Sequence, residues 1–250
     1  MSVAPARWWR PALLGALGVV IAGCVPQAAT AQGREIQQLY TAVTILAVLV
    51  GVFVAALITI SVIRFRSRRD DDALPEQRRG NVGLEVAWTA IPAGIVAVLF
   101  AATLIVLSHV DSTSATPGVR MDVTAFRWGW TFSYADDGVS VTGLGGPGEP
   151  GPLVVVPVNE PIQMTVRSND VIHSLAIPQF LFKRDVNPSW INTFQFTVER
   201  PGDYGGNCAE FCGIYHSVMP FTIRAVEPGE YEAWLEQQQA AGASASPAAP

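Results

Sequence analysis

The stretch Asn207-Cys208-Ala209-Glu210-Phe211-Cys212-Gly213-Ile214-Tyr215-His216-Ser217-Val218-Met219-Pro220 holds the densest chemistry in the chain. Its spacing is C-x3-C-x3-H-x2-M, and a second histidine, His173, lies upstream in Asp170-Val171-Ile172-His173-Ser174. Two thiols, two imidazoles and a thioether form a soft donor set, which selects copper, zinc or iron–sulfur over magnesium or calcium. A mononuclear blue-copper site takes one cysteine, two histidines and a weak axial methionine, so this set has one cysteine too many. A tetrahedral Cys2His2 zinc site would leave Met219 without a role. Two copper ions sharing both sulfurs would use every donor. Each metal then takes two bridging thiolates and one imidazole, with Met219 capping one metal and a main-chain carbonyl of the loop capping the other. The plain alternative is a Cys208–Cys212 disulfide in an oxidising compartment, which leaves the histidines and the methionine unexplained. Taken singly, His173 reads as a buried core histidine and Met219 as core filler.

Around this loop the pattern is that of short strands. Ile162, Met164 and Val166 alternate with polar neighbours, as do Phe194, Phe196 and Val198, and again Phe221, Ile223 and Ala225. A period of two means half-buried strands. Glycine and proline punctuate them at Gly143 to Pro152 and at Pro201-Gly202. Residues 110–236 therefore read as an antiparallel sandwich or barrel with a single core. Pro228 opens a short helix, with Glu230 and Glu232 near its positive end. The Ala/Ser/Pro-rich tail, residues 237–250, reads as disordered.

The first half is a different material. Thr41 to Ile63 and Val86 to Ser108 each run 23 residues without a charge, enough for a helical membrane span. Arg64, Arg66, Arg68, Arg69, Arg78 and Arg79 lie between them, which places the connecting residues 64–85 in the cytoplasm and the C-terminal domain outside. Arg7 and Arg10 precede an 11-residue apolar run, Ala12 to Ala22, too short for a comfortable span. This reads as an export signal, residues 1–23, followed by an outer segment, residues 24–40. The run ends in Ile21-Ala22-Gly23-Cys24, which resembles a lipobox whose cysteine, Cys24, is lipidated.

Composition sets outer bounds. The 250 residues are 50% hydrophobic and 15% charged, with a mean hydropathy of +0.30, too apolar for an ordinary cytosolic protein. The net charge of −5 disfavours nucleic acid. Residues 111–250 alone hold fifteen acidic and seven basic side chains, a field that attracts a positively charged protein partner. Three cysteines make no disulfide scaffold, and no C-x-x-C-H occurs for a covalent haem.

With its two spans, strand-rich outer domain and C-x3-C-x3-H-x2-M loop, the chain resembles subunit II of haem–copper cytochrome c oxidases of the dinuclear CuA type. The resemblance implies a two-helix transmembrane hairpin followed by an all-β, cupredoxin-like Greek-key barrel in the bacterial plasma membrane. It implies that His173, Cys208, Cys212, His216 and Met219 bind two copper ions and that Glu210 adds its main-chain carbonyl. The side chain of Glu210 would share a magnesium or manganese ion with subunit I; a hard cation suits a carboxylate. Arg127-Trp128-Gly129-Trp130-Thr131-Phe132-Ser133-Tyr134 is similar to the family's aromatic stretch, which makes Trp128 the acceptor of electrons from cytochrome c. Trp130 and Phe132 read as core. Asp170 is expected on the docking face for cytochrome c. Glu85 opens a segment similar to the family's second helix, near the mouth of a proton pathway into subunit I; a first-turn acid stabilising the helix dipole is the equal alternative.

The implied activity is electron input to a proton-pumping oxidase, with oxygen reduced at subunit I and not on this chain. The sequence departs from the family pattern at Gly129, Gly205, Asn207 and Pro188-Ser189-Trp190, none of them a copper ligand. Three rivals fit less well. A thioredoxin-like copper chaperone places its cysteines near the domain start. A quinol oxidase subunit II has the architecture without the copper ligands. A nitrous-oxide reductase needs a longer chain with many histidines, and only His109, His173 and His216 occur here. His109 is given no role.

Overall fold

The computed structural model describes residues 26–66 and 79–245. The expected export signal, Cys24 and most of the arginine-rich loop lie outside the described residues. Contacts divide the chain into two compact units, residues 38–107 and the remainder.

The first unit is built on two helices. Helix α1 spans Ala31–Arg64 and helix α2 spans Val82–Val110, each long and apolar enough to cross a membrane. Their large side chains, Leu49, Phe53, Ile63 and Phe100 among them, are exposed on every face. A helix that is apolar all round has no soluble solution, because nothing polar turns towards water. Helix α2 starts earlier than the uncharged run. The Asn81 side chain accepts a hydrogen bond from the Leu84 N–H at 3.1 Å, an N-cap that brings Glu85 into the first turn.

The second unit is a sandwich of two five-stranded sheets. The strands are β1 (Val119–Phe126), β2 (Gly129–Tyr134), β3 (Val139–Leu144), β4 (Leu153–Pro157), β5 (Pro161–Ser168), β6 (His173–Ile177), β7 (Phe182–Val186), β8 (Asn192–Thr197), β9 (Gly202–Cys208) and β10 (Pro220–Val226). One sheet has the order β3-β2-β1-β5-β8, the other β4-β10-β9-β6-β7. The expected alternation is present: Ile162, Met164 and Val166 are buried on β5, and Phe221, Ile223 and Ala225 on β10. It fails on β8, where Gln195 is buried between Phe194 and Phe196. Its amide donates to the Ser114 carbonyl at 3.0 Å and its oxygen accepts from the Ser114 N–H, so the buried amide is satisfied.

Two expectations need correction. The sheets are mixed rather than antiparallel, since β1 pairs with β5 and β10 with β4 in parallel. Those pairs close a two-sheet sandwich, because the chain leaves one sheet and returns beside an earlier strand. The tail is helical further than its composition implied: α3 spans Pro228–Ala245. Alanine and glutamine are good helix formers, and Tyr231 and Trp234 seat the helix on Tyr134, with ring centroids 6.4 and 5.3 Å away. The outer segment is docked on the sandwich. Thr30 forms a β-bridge with Val198, Ala29 and Thr30 are buried, and Arg34 pairs with Glu199 at 2.7 Å. Helix α1 thus starts from the sandwich itself, with the Thr30 hydroxyl accepting from the Gly33 N–H.

Candidate metal centre

Two neighbouring strands and one loop make the site. His173 opens β6, and Cys208 closes β9; the pairing of Leu175 with Cys208 sets them side by side. The loop from residue 209 to 219 then returns to β10, whose first residue, Pro220, pairs with Asn207. A return this short forces Cys212, His216 and Met219 back over Cys208. The two sulfurs lie 3.9 Å apart, far beyond the S–S bond length of a disulfide, and both cysteines are free. The Nδ1 atom of His173 is 3.8 Å from Cys208 Sγ, and that of His216 is 3.7 Å from Cys212 Sγ. Met219 Sδ is 4.0 Å from Cys212 Sγ, and the Glu210 carbonyl 3.3 Å from Cys208 Sγ. His173, Cys208 and Cys212 form a buried cluster with ligand atoms within 4.8 Å of one another.

The electrostatics suit a cation. Burial pushes the Cys208 thiol up, but His173, backbone groups of Glu210 and Ser174, and His216 outweigh it and bring it down to about 6. Burial and the neighbouring Cys208 charge push Cys212 up to about 12. The two opposite shifts are linked: charge at Cys208 is favoured by the imidazoles and loop backbone around it and in turn disfavours charge at Cys212. For His173, burial lowers the pKa, yet hydrogen bonds to Cys208 and Asp170 raise it overall.

The surroundings fix the loop. The indole N–H of Trp130, fully buried as core, donates to the Met219 carbonyl at 3.2 Å. Trp128, half-buried in the β1–β2 turn, donates its N–H to the Cys212 carbonyl at 3.2 Å. Gly213 has a φ of +121°, and a Cβ there would sit 3.0 Å from the Trp128 ring, so glycine is what lets the indole close on the loop. Gly129 has a similar reason, because the Phe126 ring lies 2.7 Å from where its Cβ would be. Nothing in the structure requires glycine at 205, where a Cβ meets open space.

The remaining candidates fall in different places. The Glu210 carboxylate is exposed and lies 3.6 Å from the Lys183 ammonium, which also reaches Asp185 at 3.5 Å. Asp170 is turned inward: its Oδ1 is 2.9 Å from His173 Nε2. The Asp170 side chain keeps 22% exposure, and the i,i+3 spacing of an acid before the histidine was the available signal for this contact. Glu85 lies in the other unit, in the first turn of α2. His109, given no role, faces Glu35 at 3.2 Å.

Comparison with known proteins places the chain among its relatives. Residues 149–226 match the family described as cytochrome C oxidase subunit II, periplasmic domain, and residues 19–106 the corresponding transmembrane domain. The probable cytochrome c oxidase subunit 2 of Nocardia farcinica is 32% identical over 298 residues, covering 91% of this chain and 80% of that protein. The cytochrome c oxidase subunit 2 of Mycobacterium tuberculosis is 31% identical over 305 residues, covering 95% and 84%. Among solved structures, the periplasmic domain of subunit II of cytochrome oxidase of Bradyrhizobium japonicum aligns with a TM-score of 0.48 at 31% identity, covering 52% of this chain and 99% of that one. Matched by both family domains and 32% identical over 91% of its length to a curated relative, the chain belongs to the cytochrome c oxidase subunit II family.

Proposed function

We propose that this chain is the electron-input subunit of a proton-pumping haem–copper cytochrome c oxidase, taking electrons from reduced cytochrome c and delivering them to haem in subunit I. The observation that carries the reading is two unbonded sulfurs 3.9 Å apart, each with its own imidazole. His173, Cys208, Cys212, His216 and Met219, with the Glu210 carbonyl, would hold two copper ions. The bound pair supplies a one-electron couple whose charge spreads over two metals and two sulfurs, so bond lengths change little.

The residues of the chain do the rest. Cys208 and Cys212 would hold both ions with Met219 and the Glu210 carbonyl as further donors, and Trp130 pins the Met219 backbone from the core. Trp128 receives electrons at the surface, and its hydrogen bond to the Cys212 carbonyl supplies a bonded route inward. The acidic outer domain attracts a cationic cytochrome c. Glu210 offers one carboxylate to a magnesium or manganese ion; its other oxygen ligands would come from subunit I, and Lys183 would have to swing aside. Glu85 would stand at a proton pathway's mouth, and a lipidated Cys24 would tether the outer segment. The domain limits, the outward orientation and the translocase activity of the assembled oxidase belong to the same reading.

The test is copper loading of the purified full-length chain in detergent. The expected product is purple, with about two coppers per chain and electron-spin hyperfine coupling to two equivalent nuclei. A single copper, or a preference for zinc, overturns the reading.

A further inference from the structure

The carboxylate of Asp170 touches two parts of the site at once. Its Oδ1 lies 2.9 Å from His173 Nε2 and accepts from the Val171 N–H at 2.6 Å. Its Oδ2 accepts from the Arg127 N–H at 2.7 Å, with Arg127 Nε at 3.5 Å. The Ser168 hydroxyl adds a contact to Oδ1 at 3.3 Å. Arg127 precedes Trp128 in the two-residue turn between β1 and β2. The imidazole at the other end of this bridge has no exposure to solvent.

We infer that Asp170 is a positioning residue: its carboxylate selects the Nε2–H tautomer of His173, aims the Nδ1 lone pair at the sulfur pair, and fixes the turn that carries Trp128. The inference rests on the copper reading above. A neutral imidazole carries one N–H and one lone pair, and the hydrogen bond at one nitrogen decides which is which. A carboxylate accepts only, so the nitrogen facing it must carry the proton. The nitrogen facing Cys208, at 3.8 Å, then keeps its lone pair for a metal. His216 has no carboxylate among its hydrogen-bond partners in the described residues, so the two imidazoles are built unequally. The same anion satisfies the Arg127 N–H, and the next residue donates its indole N–H to the Cys212 carbonyl. One carboxylate thus braces the electron-accepting indole and a metal-facing imidazole against each other. Both Asp170 oxygens are engaged by groups of the fold, so its contacts do more than present a surface charge.

The test uses the full-length chain in detergent with Asp170→Asn, Asp170→Glu and, as a charge control, Asp122→Asn on the exposed face of β1. Copper affinity is read by chelator competition, the midpoint potential by redox titration, and the Arg127 amide by hydrogen exchange in the metal-free chain. The expected result is a loss of about 10–100-fold in copper affinity for both Asp170 variants, the range typical of a lost partner to a ligand histidine. Asp170→Asn also raises the potential, since a negative charge near the copper pair favours its oxidised form, and Arg127 amide exchange quickens. Asp170→Glu keeps the charge but displaces the carboxylate, so the salt dependence of cytochrome c oxidation stays as in the wild type. It also carries the test if Asp170→Asn does not fold. Wild-type affinity and potential in the Asp170 variants overturn the inference, as does an effect confined to salt-dependent cytochrome oxidation. If the wild type takes up no copper, the copper reading falls. The His173 tautomer and Arg127 exchange in the metal-free chain then still decide the role of Asp170.

Discussion

Cys212 and Trp128 separate the two proposed roles, holding a metal and feeding it electrons. Cys212→Ser removes one of the two sulfurs proposed to hold copper and is expected to abolish the purple spectrum, checked by optical and electron-spin spectroscopy of copper-loaded material. Trp128→Phe leaves all five side-chain donors in place, so the spectrum persists while oxidation of cytochrome c slows; unchanged cytochrome oxidation in stopped flow would end the claim for Trp128. Gly213→Ala places a methyl against the Trp128 ring on a backbone at φ +121°. It is expected to cost about 1–3 kcal/mol, the range for a residue held in a sparsely populated conformation, and thermal unfolding of the metal-free chain measures it. The donor set was legible from C-x3-C-x3-H-x2-M because metal chemistry constrains residue type and spacing together. The hydrogen bonds of Asp170 were not, since spacing alone does not locate the backbone N–H groups around a carboxylate.

Among the elements, the β9–β10 pair shows how surface charge contributes. Arg224 lies opposite Asp203 and grips it with two hydrogen bonds, at 2.7 and 2.8 Å. That pair holds the Asp203 carboxyl below its usual range. A carboxyl with a depressed folded-state pKa stabilises above its unfolded value and loses that contribution as the pH falls through the folded one. The melting difference between the wild type and Asp203→Asn should therefore be largest near neutrality and vanish in acid, and high salt should shrink it. The start of α1 gives a second test. A Cβ on Gly33 would lie 2.7 Å from the Phe180 carbonyl, so Gly33→Ala should loosen the docked segment. Hydrogen exchange at the Glu199 amide, which donates to the Ala29 carbonyl, should quicken while the β5 amides stay protected. Period-two alternation revealed β5 and β10 correctly, because one face of each strand meets the core. It could not reveal the parallel β1–β5 and β4–β10 pairs, since alternation records which face is buried and not which strand lies alongside.

For the whole molecule, the apolar faces of α1 and α2 predict that the chain stays with membranes after alkaline washing and needs detergent to leave them. Release into the aqueous phase would contradict a spanning role. The sequence by itself determined two uncharged runs long enough to span a bilayer, a strand-rich domain after them, and a set of soft donors that suits copper. These are local properties, written in runs, periods and spacings. Only the tertiary structure decided that the 26–35 segment is part of the sandwich, that α3 runs on over Tyr134, and that Asp170 braces His173 and the Trp128 turn. Each of those depends on residues far apart in sequence meeting at hydrogen-bonding or van der Waals distance, and no linear pattern encodes that meeting.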